Sequence, residues 1–208
     1  MNKINIAVLV SGGGTNLQAL IDAQAAGTLQ SGTTELVISN NADAYALQRA
    51  AQAGITTRVI RKKDLGGSQE AFETALIEAL DGAGIELIVL AGFMSILSER
   101  FTSYYRDRII NVHPSLIPSF CGKGFYGLKV HEAALAYGVK VTGATVHFVN
   151  EVPDGGRIIA QEAVYIEDGD TPEILQRRVM EQAEWILLPQ AAEQVSKELL
   201  QKKAGNET

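Results

Sequence analysis

The chain has 208 residues, of which 46% are hydrophobic and 20% are charged, and its formal net charge is −6. These values are ordinary for a globular protein that buries a full core in one domain. The acidic balance argues against a nucleic-acid partner, because there is no basic excess to displace counterions from phosphates.

No apolar run reaches the roughly 18 residues that span a bilayer, so no membrane partner is expected. The N-terminus shows no cleavable signal, and the single Cys121 excludes an intrachain disulfide. We therefore expect a cytoplasmic protein with residues 1–203 as one domain and residues 204–208 as a polar tail. Three histidines this far apart do not make a zinc site, so no metal is expected. Monomer and homodimer both remain open.

The first half of the chain alternates strands with helices. The apolar, β-branched run from Ile4 to Val10 is typical of a central parallel strand, and a helix from about Asn16 follows it. Asp43 is expected to cap the second helix. Further strands are predicted at residues 36–39, 57–60 and 87–90, and further helices at residues 43–53 and 68–80. This alternation predicts an α/β fold, a doubly wound parallel sheet with helices on both faces.

The second half of the chain changes character. A strand at residues 108–112 is followed by a long glycine-containing loop, and a helix is predicted at residues 128–136. Two strands at residues 140–149 and 157–166 predict an antiparallel hairpin added to the sheet. Thr171 caps a last helix, with Pro172 at its first position, that is expected to run to about Lys202.

A glycine loop from Ser11 to Asn16 joins the first strand to its helix. Backbone N–H groups in such a loop, together with the helix dipole, favour an anion such as phosphate. A tight turn without a ligand explains the same residues. The loop lacks the Lys-Ser/Thr of a P-loop and the full spacing of the dinucleotide fingerprint, which disfavours an ATPase or a dehydrogenase.

Asn111 and His113 stand two residues apart at the end of a predicted strand, so their side chains share a face. In open α/β sheets, ligands bind outside such strand ends. Asp154 lies in a later Asp-Gly-Gly turn, and a carboxylate beside His113 would raise its pKa and favour the imidazolium. The three groups together suit carbonyl chemistry without a metal or a covalent nucleophile. On pattern alone, a structural histidine and a simple turn aspartate explain these residues better.

For the other polar residues the sequence favours structural roles over catalytic ones. His147, inside a predicted strand, is expected to be buried and hydrogen-bonded, whereas His131 is expected to be solvated on its helix. Cys121 has no evident base beside it and is expected to be a bystander. The glycines of the loop at residues 119–127 suit a flap over a substrate.

Three motifs together resemble the glycinamide ribonucleotide formyltransferases. They are Ser11-Gly12-Gly13-Gly14-Thr15-Asn16-Leu17-Gln18, Leu90-Ala91-Gly92-Phe93-Met94 and Asn111-Val112-His113-Pro114-Ser115-Leu116, and the turn Val152-Pro153-Asp154-Gly155-Gly156 matches too. The resemblance implies transfer of a formyl group from 10-formyltetrahydrofolate to the amine of 5-phosphoribosylglycinamide, a step of purine biosynthesis. Both partners are small molecules.

The resemblance also implies residue roles. Asn111, protonated His113 and Asp154 would be catalytic, with His147 orienting them. The ribonucleotide would bind at Gly13, Gly14, Thr15, Asn16, Pro114 and Glu184. The folate would bind at Gln69, Met94, Ser95, Ile96, Leu97 and Asn111. The family often carries basic residues at the positions of Gln69 and Ser95 and a histidine at that of Trp185, which puts folate affinity in question. A solvated helix carboxylate is the alternative interpretation of Glu184.

Three rival functions share these residues. A formyltetrahydrofolate hydrolase would use water as the acceptor, but it usually carries an additional N-terminal domain. A formyltransferase acting on initiator tRNA would need a further C-terminal domain and a basic surface. A non-catalytic nucleotide-binding module would bind the phosphate ligand without any turnover.

Overall fold

A computed structural model describes residues 3–206. Over these residues the chain forms seven strands and seven α-helices. The strands are Ile4–Val10 (β1), Gly32–Ser39 (β2), Thr56–Val59 (β3), Leu87–Leu90 (β4), Ile109–His113 (β5), Val141–Phe148 (β6) and Ile158–Tyr165 (β7). The helices are Thr15–Ala25 (α1), Tyr45–Gln52 (α2), Gln69–Gly82 (α3), Glu99–Tyr104 (α4), Leu128–Tyr137 (α5), Pro172–Val179 (α6) and Trp185–Asn206 (α7).

All seven strands form one sheet in the order β3-β2-β1-β4-β5-β6-β7. The pairs from β3 to β5 are parallel, whereas β6 is antiparallel to both β5 and β7. The predicted α/β class, the doubly wound sheet and the antiparallel C-terminal addition are all confirmed. The chain order reverses between β1 and β4, which creates a crevice at the carboxyl ends of these strands.

The sheet is covered on both faces because its central strands are apolar on both sides. In β1, Ile6 and Val8 pack into one core with α1 and α7, while Ala7 and Leu9 pack into the other with α3. Alternate residues of a strand point to opposite faces, so one continuous apolar run serves both cores. The edge strand β3 is exposed along its whole length.

Two predictions about helix ends are wrong. Asp43 does not cap α2, because Ala44 occupies the N-cap position and no side chain bonds to the first turn. Asp43 lies one residue earlier, where its backbone N–H bonds to the side-chain oxygen of Asn41. The last helix, expected to end near Lys202, continues as α7 to Asn206. The polar tail at residues 204–208 stays a prediction, and residues 207–208 lie outside the described residues. Ser68 and Thr171, in contrast, cap α3 and α6 through their side chains.

The predicted last helix is interrupted by a π-helical turn at Met180–Glu184. Such turns hold one additional residue and occur frequently at functional sites. Here the turn buries Ala183 and Glu184 between α6 and α7. Within residues 3–206, no helix combines the length and the apolar character that crossing a bilayer requires.

Candidate active site

The crevice at the reversal point opens into a cavity of about 420 Å³. The glycine loop after β1, the segment after β4 and the end of β5 contribute three of its sides. The described lining includes residues 12–16, 91–94, 111–114 and 125–127, with His131, Asp154, Gln176, Met180 and Glu184. The fold therefore brings Asp154 to Asn111 and His113, which sequence spacing alone could not establish.

Four residues form what we call the β5 corner of this cavity: Asn111, His113, His147 and Asp154. The two histidines face the same carboxylate, with His113 Nδ1 and His147 Nε2 each 3.6 Å from an oxygen of Asp154. Asn111 pairs with His147 across the antiparallel β5–β6 ladder, and Asn111 Nδ2 lies 3.2 Å from His147 Nε2. The antiparallel pairing of β6 with β5 therefore places His147 next to Asn111.

Backbone carbonyls fix the proton positions on both rings. His147 Nδ1 lies 2.8 Å from the Phe148 carbonyl and His113 Nε2 lies 2.9 Å from the Phe120 carbonyl. Because a carbonyl oxygen only accepts, each of these nitrogens carries the proton. The Asn111 amide lies within hydrogen-bonding distance of His147 Nε2, and its second N–H stays available for another partner. The predicted orienting role of His147 stays a prediction that this geometry suits.

The expected rise in the pKa of His113 is wrong. Burial lowers this pKa, and the opposing effects of Asp154 and of the Phe120 carbonyl are smaller, so it lies below the usual value. Desolvation disfavours the charged imidazole more than a carboxylate 3.6 Å away favours it. His113 is therefore mainly neutral at pH 7, with its Nδ1 unprotonated and facing Asp154.

Asp154 is held as a carboxylate. Burial alone raises its pKa, but His147, His113 and the Gly122 backbone N–H together lower it below the usual value. The Gly122 N–H donates to Asp154 Oδ2 over 2.8 Å. Asp154 itself has a φ of 57°, a left-handed conformation that aspartate adopts more readily than most residues. The turn thus aims a charged carboxylate at two imidazoles.

Three further lining residues form what we call the helix corner of the same cavity: Asn16 of α1, His131 of α5 and Glu184 of the π turn. Asn16 Nδ2 donates to Glu184 Oε2 over 2.7 Å. Burial raises the pKa of Glu184 to about 7, although Asn16 partly opposes the shift. The solvated alternative for Glu184 is therefore wrong.

His131 is fully buried, so the prediction that it is solvated is also wrong. Val130 and Ala134 lie on the buried face of α5, and His131 lies between them on that face. This helical spacing was the signal in the sequence that could have identified it. Both ring nitrogens of His131 and the Asn16 side-chain oxygen lack a hydrogen-bond partner among residues 3–206. An unsatisfied buried polar group of this kind costs about 1–3 kcal/mol.

The glycine loop ends at the N-terminus of α1, which no described side chain caps. Gly14 has a φ of 71°, and a Cβ built on it would lie 2.6 Å from the Cβ of Ala46. A glycine is needed here both for the left-handed turn and for the close approach of α2. The loop residues 12–14 and the first helical residues, Thr15 and Asn16, line the cavity, as an anion site at this helix N-terminus requires.

The residues expected to bind folate are only partly gathered here. Met94 lines the cavity, and its backbone N–H bonds to the Ser11 hydroxyl over 2.8 Å. Ile96 is exposed, whereas Leu97 is buried in the core. Gln69 donates to the Ile96 carbonyl and Ser95 accepts from Asn40, so both side chains already have protein partners.

The loop at residues 119–127 covers the β5 corner. The Phe120 carbonyl accepts a hydrogen bond from His113 Nε2, and the Gly122 N–H donates one to Asp154. Phe125 and Tyr126 line the cavity. Burial, followed by the charge of Asp154, raises the pKa of the Cys121 thiol. A thiol shifted in that direction is a poorer nucleophile at pH 7, which agrees with a bystander role.

A larger cavity, about 910 Å³, lies between α1 and α7. Trp185, which stands where the family commonly has histidine, lines this groove instead of the candidate site. Neither of the two buried histidine–aspartate contacts lies in it. We place the site in the smaller cavity because the acid–base groups converge there. Among residues 3–206, no cluster of three or more His, Cys, Asp or Glu residues could hold a metal ion.

Comparison with known proteins gives consistent matches. The family model described as formyl transferase matches residues 4–191. The phosphoribosylglycinamide formyltransferase of Escherichia coli (strain K12) is 43% identical over 86% of this chain and 81% of its own length. A crystal structure of glycinamide ribonucleotide transformylase 1 from Symbiobacterium toebii is 41% identical, covers 94% of this chain and 89% of that one, and has a TM-score of 0.87.

A longer relative matches as well. The trifunctional purine biosynthetic protein adenosine-3 of Gallus gallus is 47% identical over 94% of this chain, which spans only 19% of that protein's length. Matches over nearly the whole chain, at this identity and with the same fold, do not arise from a shared motif alone. The chain belongs to the formyl transferase family.

Proposed function

We infer that the protein transfers a formyl group from 10-formyltetrahydrofolate to the amine of 5-phosphoribosylglycinamide, a step of purine biosynthesis. One observation carries this inference. The anion site at the N-terminus of α1 and the Asn111–His113–Asp154 group line the same cavity. A phosphorylated acceptor held at the first can present an amine at the second. The names of the relatives agree with this acceptor.

The substrates divide the cavity between them. The phosphate binds at the α1 N-terminus, where Gly13, Gly14 and Thr15 supply backbone N–H groups and the helix dipole favours negative charge. Glu184, which accepts a hydrogen bond from Asn16 in the first turn of α1, binds the ribose hydroxyls. The folate enters along the segment after β4, where Met94 and Ile96 expose apolar side chains to a flat ring. Gln69 holds that segment in place through the Ile96 carbonyl.

The reaction begins when the neutral amine attacks the formyl carbon. The formyl oxygen takes the place of the Phe120 carbonyl on His113 Nε2 and accepts a second hydrogen bond from the Asn111 amide. Two aligned donors that bind the developing oxyanion are typically the largest catalytic contribution. A neutral His113 suits this role because it donates through Nε2 without first having to be protonated.

A proton must then move from the attacking nitrogen to the folate nitrogen. A water next to Asp154 relays the proton from the attacking nitrogen to the unprotonated His113 Nδ1, and the imidazolium formed is stabilised by the carboxylate 3.6 Å away. His113 Nε2 then protonates the departing folate nitrogen as the carbon–nitrogen bond breaks. The products are the formylated amine and tetrahydrofolate, and no step calls for a metal.

Formyl transfer measured with and without the ribonucleotide tests this function. We expect the folate product, followed by absorbance, and formylglycinamide ribonucleotide, followed by mass, to appear in equal amounts and only when both substrates are present. Folate turnover without the ribonucleotide would instead identify a hydrolase. Ribonucleotide binding without turnover would identify a binding module. The cytoplasmic location and the absence of a nucleic-acid partner stay predictions from composition.

A further inference from the structure

The helix corner contains a buried imidazole that the mechanism above does not use. His131 lines the same cavity as His113 and Asp154, its side chain is fully buried, and neither of its ring nitrogens has a partner among residues 3–206. Burial, followed by the repulsion that a protonated His113 would exert, lowers the pKa of His131 to about 4, so the ring is neutral at pH 7. A neutral imidazole offers one hydrogen-bond donor and one acceptor.

We propose that His131 binds the glycinamide end of the acceptor substrate and accepts a hydrogen bond from its amine. This inference rests on the proposed function and adds a residue that selects and orients the nucleophile. The phosphate at the α1 N-terminus and the ribose at Glu184 anchor one end of the acceptor, so its amine must extend toward His113. His131 interacts electrostatically with His113, and both line the cavity that would hold the amine.

The chemistry of the amine explains why an uncharged acceptor suits this position. The amine attacks only as a free base, and a positively charged group beside it would repel the charge that forms on nitrogen during attack. A carboxylate would instead favour the protonated, unreactive ammonium. A buried imidazole that stays neutral orients one N–H and leaves the nitrogen lone pair directed at the formyl carbon.

The neighbouring orphaned atom supports the same location. The side-chain oxygen of Asn16 also lacks a partner, and Asn16 bonds through its nitrogen to Glu184. Buried polar groups in folded proteins nearly always have partners. Unpaired atoms on Asn16 and His131 in one cavity therefore indicate that a polar ligand completes this corner.

Calorimetric binding of 5-phosphoribosylglycinamide, without folate, tests the proposal. We expect His131→Leu to raise the dissociation constant about tenfold, as loss of one buried hydrogen bond does, and His131→Asn to recover part of the affinity. Ribose 5-phosphate, which has no glycinamide, should bind wild type and both variants equally. The KM for 10-formyltetrahydrofolate should not change. Wild-type affinity of His131→Leu for the ribonucleotide would overturn the proposal.

The matched control is Thr142→Val in β6. The Thr142 hydroxyl is also buried without a partner among the described residues, but it lies outside this cavity. We expect no change in ribonucleotide affinity, and a loss equal to that of His131→Leu would mean that any buried orphan affects binding through stability.

Nitrogen NMR of the wild-type protein tests the same proposal without any substitution, so it does not require that a variant folds. The His131 ring resonances should shift when the ribonucleotide is added at constant pH but not when ribose 5-phosphate is added. Unchanged resonances with the ribonucleotide bound would overturn the proposal. If formyl transfer proceeds while His131 is insensitive, only this inference fails, whereas absence of formyl transfer by the wild type contradicts the proposed function itself.

Discussion

The two corners of the cavity differ in how their polar atoms are satisfied. In the β5 corner, His113, His147 and Asp154 each have a backbone partner from Phe120, Phe148 or Gly122. In the helix corner, both nitrogens of His131 and one atom of Asn16 have none among the described residues. The first corner is organised before substrate arrives, as electrostatic catalysis requires. The second is completed by a ligand, as a recognition site requires.

The largest expected effect is on the β5 corner. Asp154→Asn should lower kcat by about 10³-fold, because the variant loses the carboxylate that stabilises the imidazolium. The affinity for the ribonucleotide, which binds at the other corner, should stay unchanged. Since Asp154 raises the pKa of His113 against burial, this pKa should fall further below its usual value in the variant. Steady-state kinetics and an NMR titration of His113 measure both effects.

The control for that variant is Glu151→Gln, which removes an exposed carboxylate from the same turn. It should leave both kcat and the His113 pKa as they are in the wild type. An unchanged His113 pKa in Asp154→Asn would show that the two side chains do not interact in solution.

Glu184→Gln tests whether the helix corner is buried. The folded-state pKa of Glu184, about 7, lies above its ordinary value of 4.5, so burial favours the protonated form. The stability this group contributes is complete below about pH 4.5 and is lost as the pH rises through 7. From pH 4.5 to pH 9 the wild type should lose on the order of 3 kcal/mol through this carboxyl. The variant should not show that loss.

Urea unfolding at several pH values measures this difference. Glu181→Gln, which changes an exposed carboxylate of the same π turn, should retain the wild-type pH dependence. If the free energy of unfolding of Glu184→Gln changes with pH as that of the wild type does, then Glu184 ionises without a free-energy cost. The helix corner would then be more hydrated than described.

The smallest effect concerns the backbone of the glycine loop. Gly14→Ala should lower the free energy of unfolding by about 2 kcal/mol, because it adds a clash with Ala46 to the strain of a left-handed turn. Gly27→Ala is the matched control, since its φ of 72° is nearly the same but no atom lies within 4 Å of the added Cβ. It should cost about 1 kcal/mol from strain alone. Equal losses, measured by thermal unfolding, would show that α2 moves away freely.

The sequence predicted the β5 corner better than the helix corner. Asn111 and His113 share a strand, and a period of two places their side chains on one face whatever the rest of the chain does. Glu184 comes from an irregular π turn, which no helical periodicity indicates. His131 was predicted to be solvated, although its helical spacing with Val130 and Ala134 indicated the buried face of α5.

The direction of the His113 pKa shift could not be predicted from the sequence for a different reason. The sequence correctly suggested a carboxylate near the ring, and that interaction does raise the pKa. Burial opposes it and is the larger effect, but burial depends on the loop at residues 119–127 folding over the ring. Such an effect is the sum of many contacts and cannot be obtained from a pair of residues.

Local patterns in the sequence determined the elements of this protein. Apolar runs specified the parallel strands, Ser68 and Thr171 specified two helix starts, and the glycine loop specified the turn that leads into α1. Tertiary structure alone decided that Asp154 reaches His113, that Glu184 and His131 are buried, and that His113 is neutral at rest. Those properties depend on desolvation and on contacts between distant segments, which exist only once the sheet and its covering helices have formed.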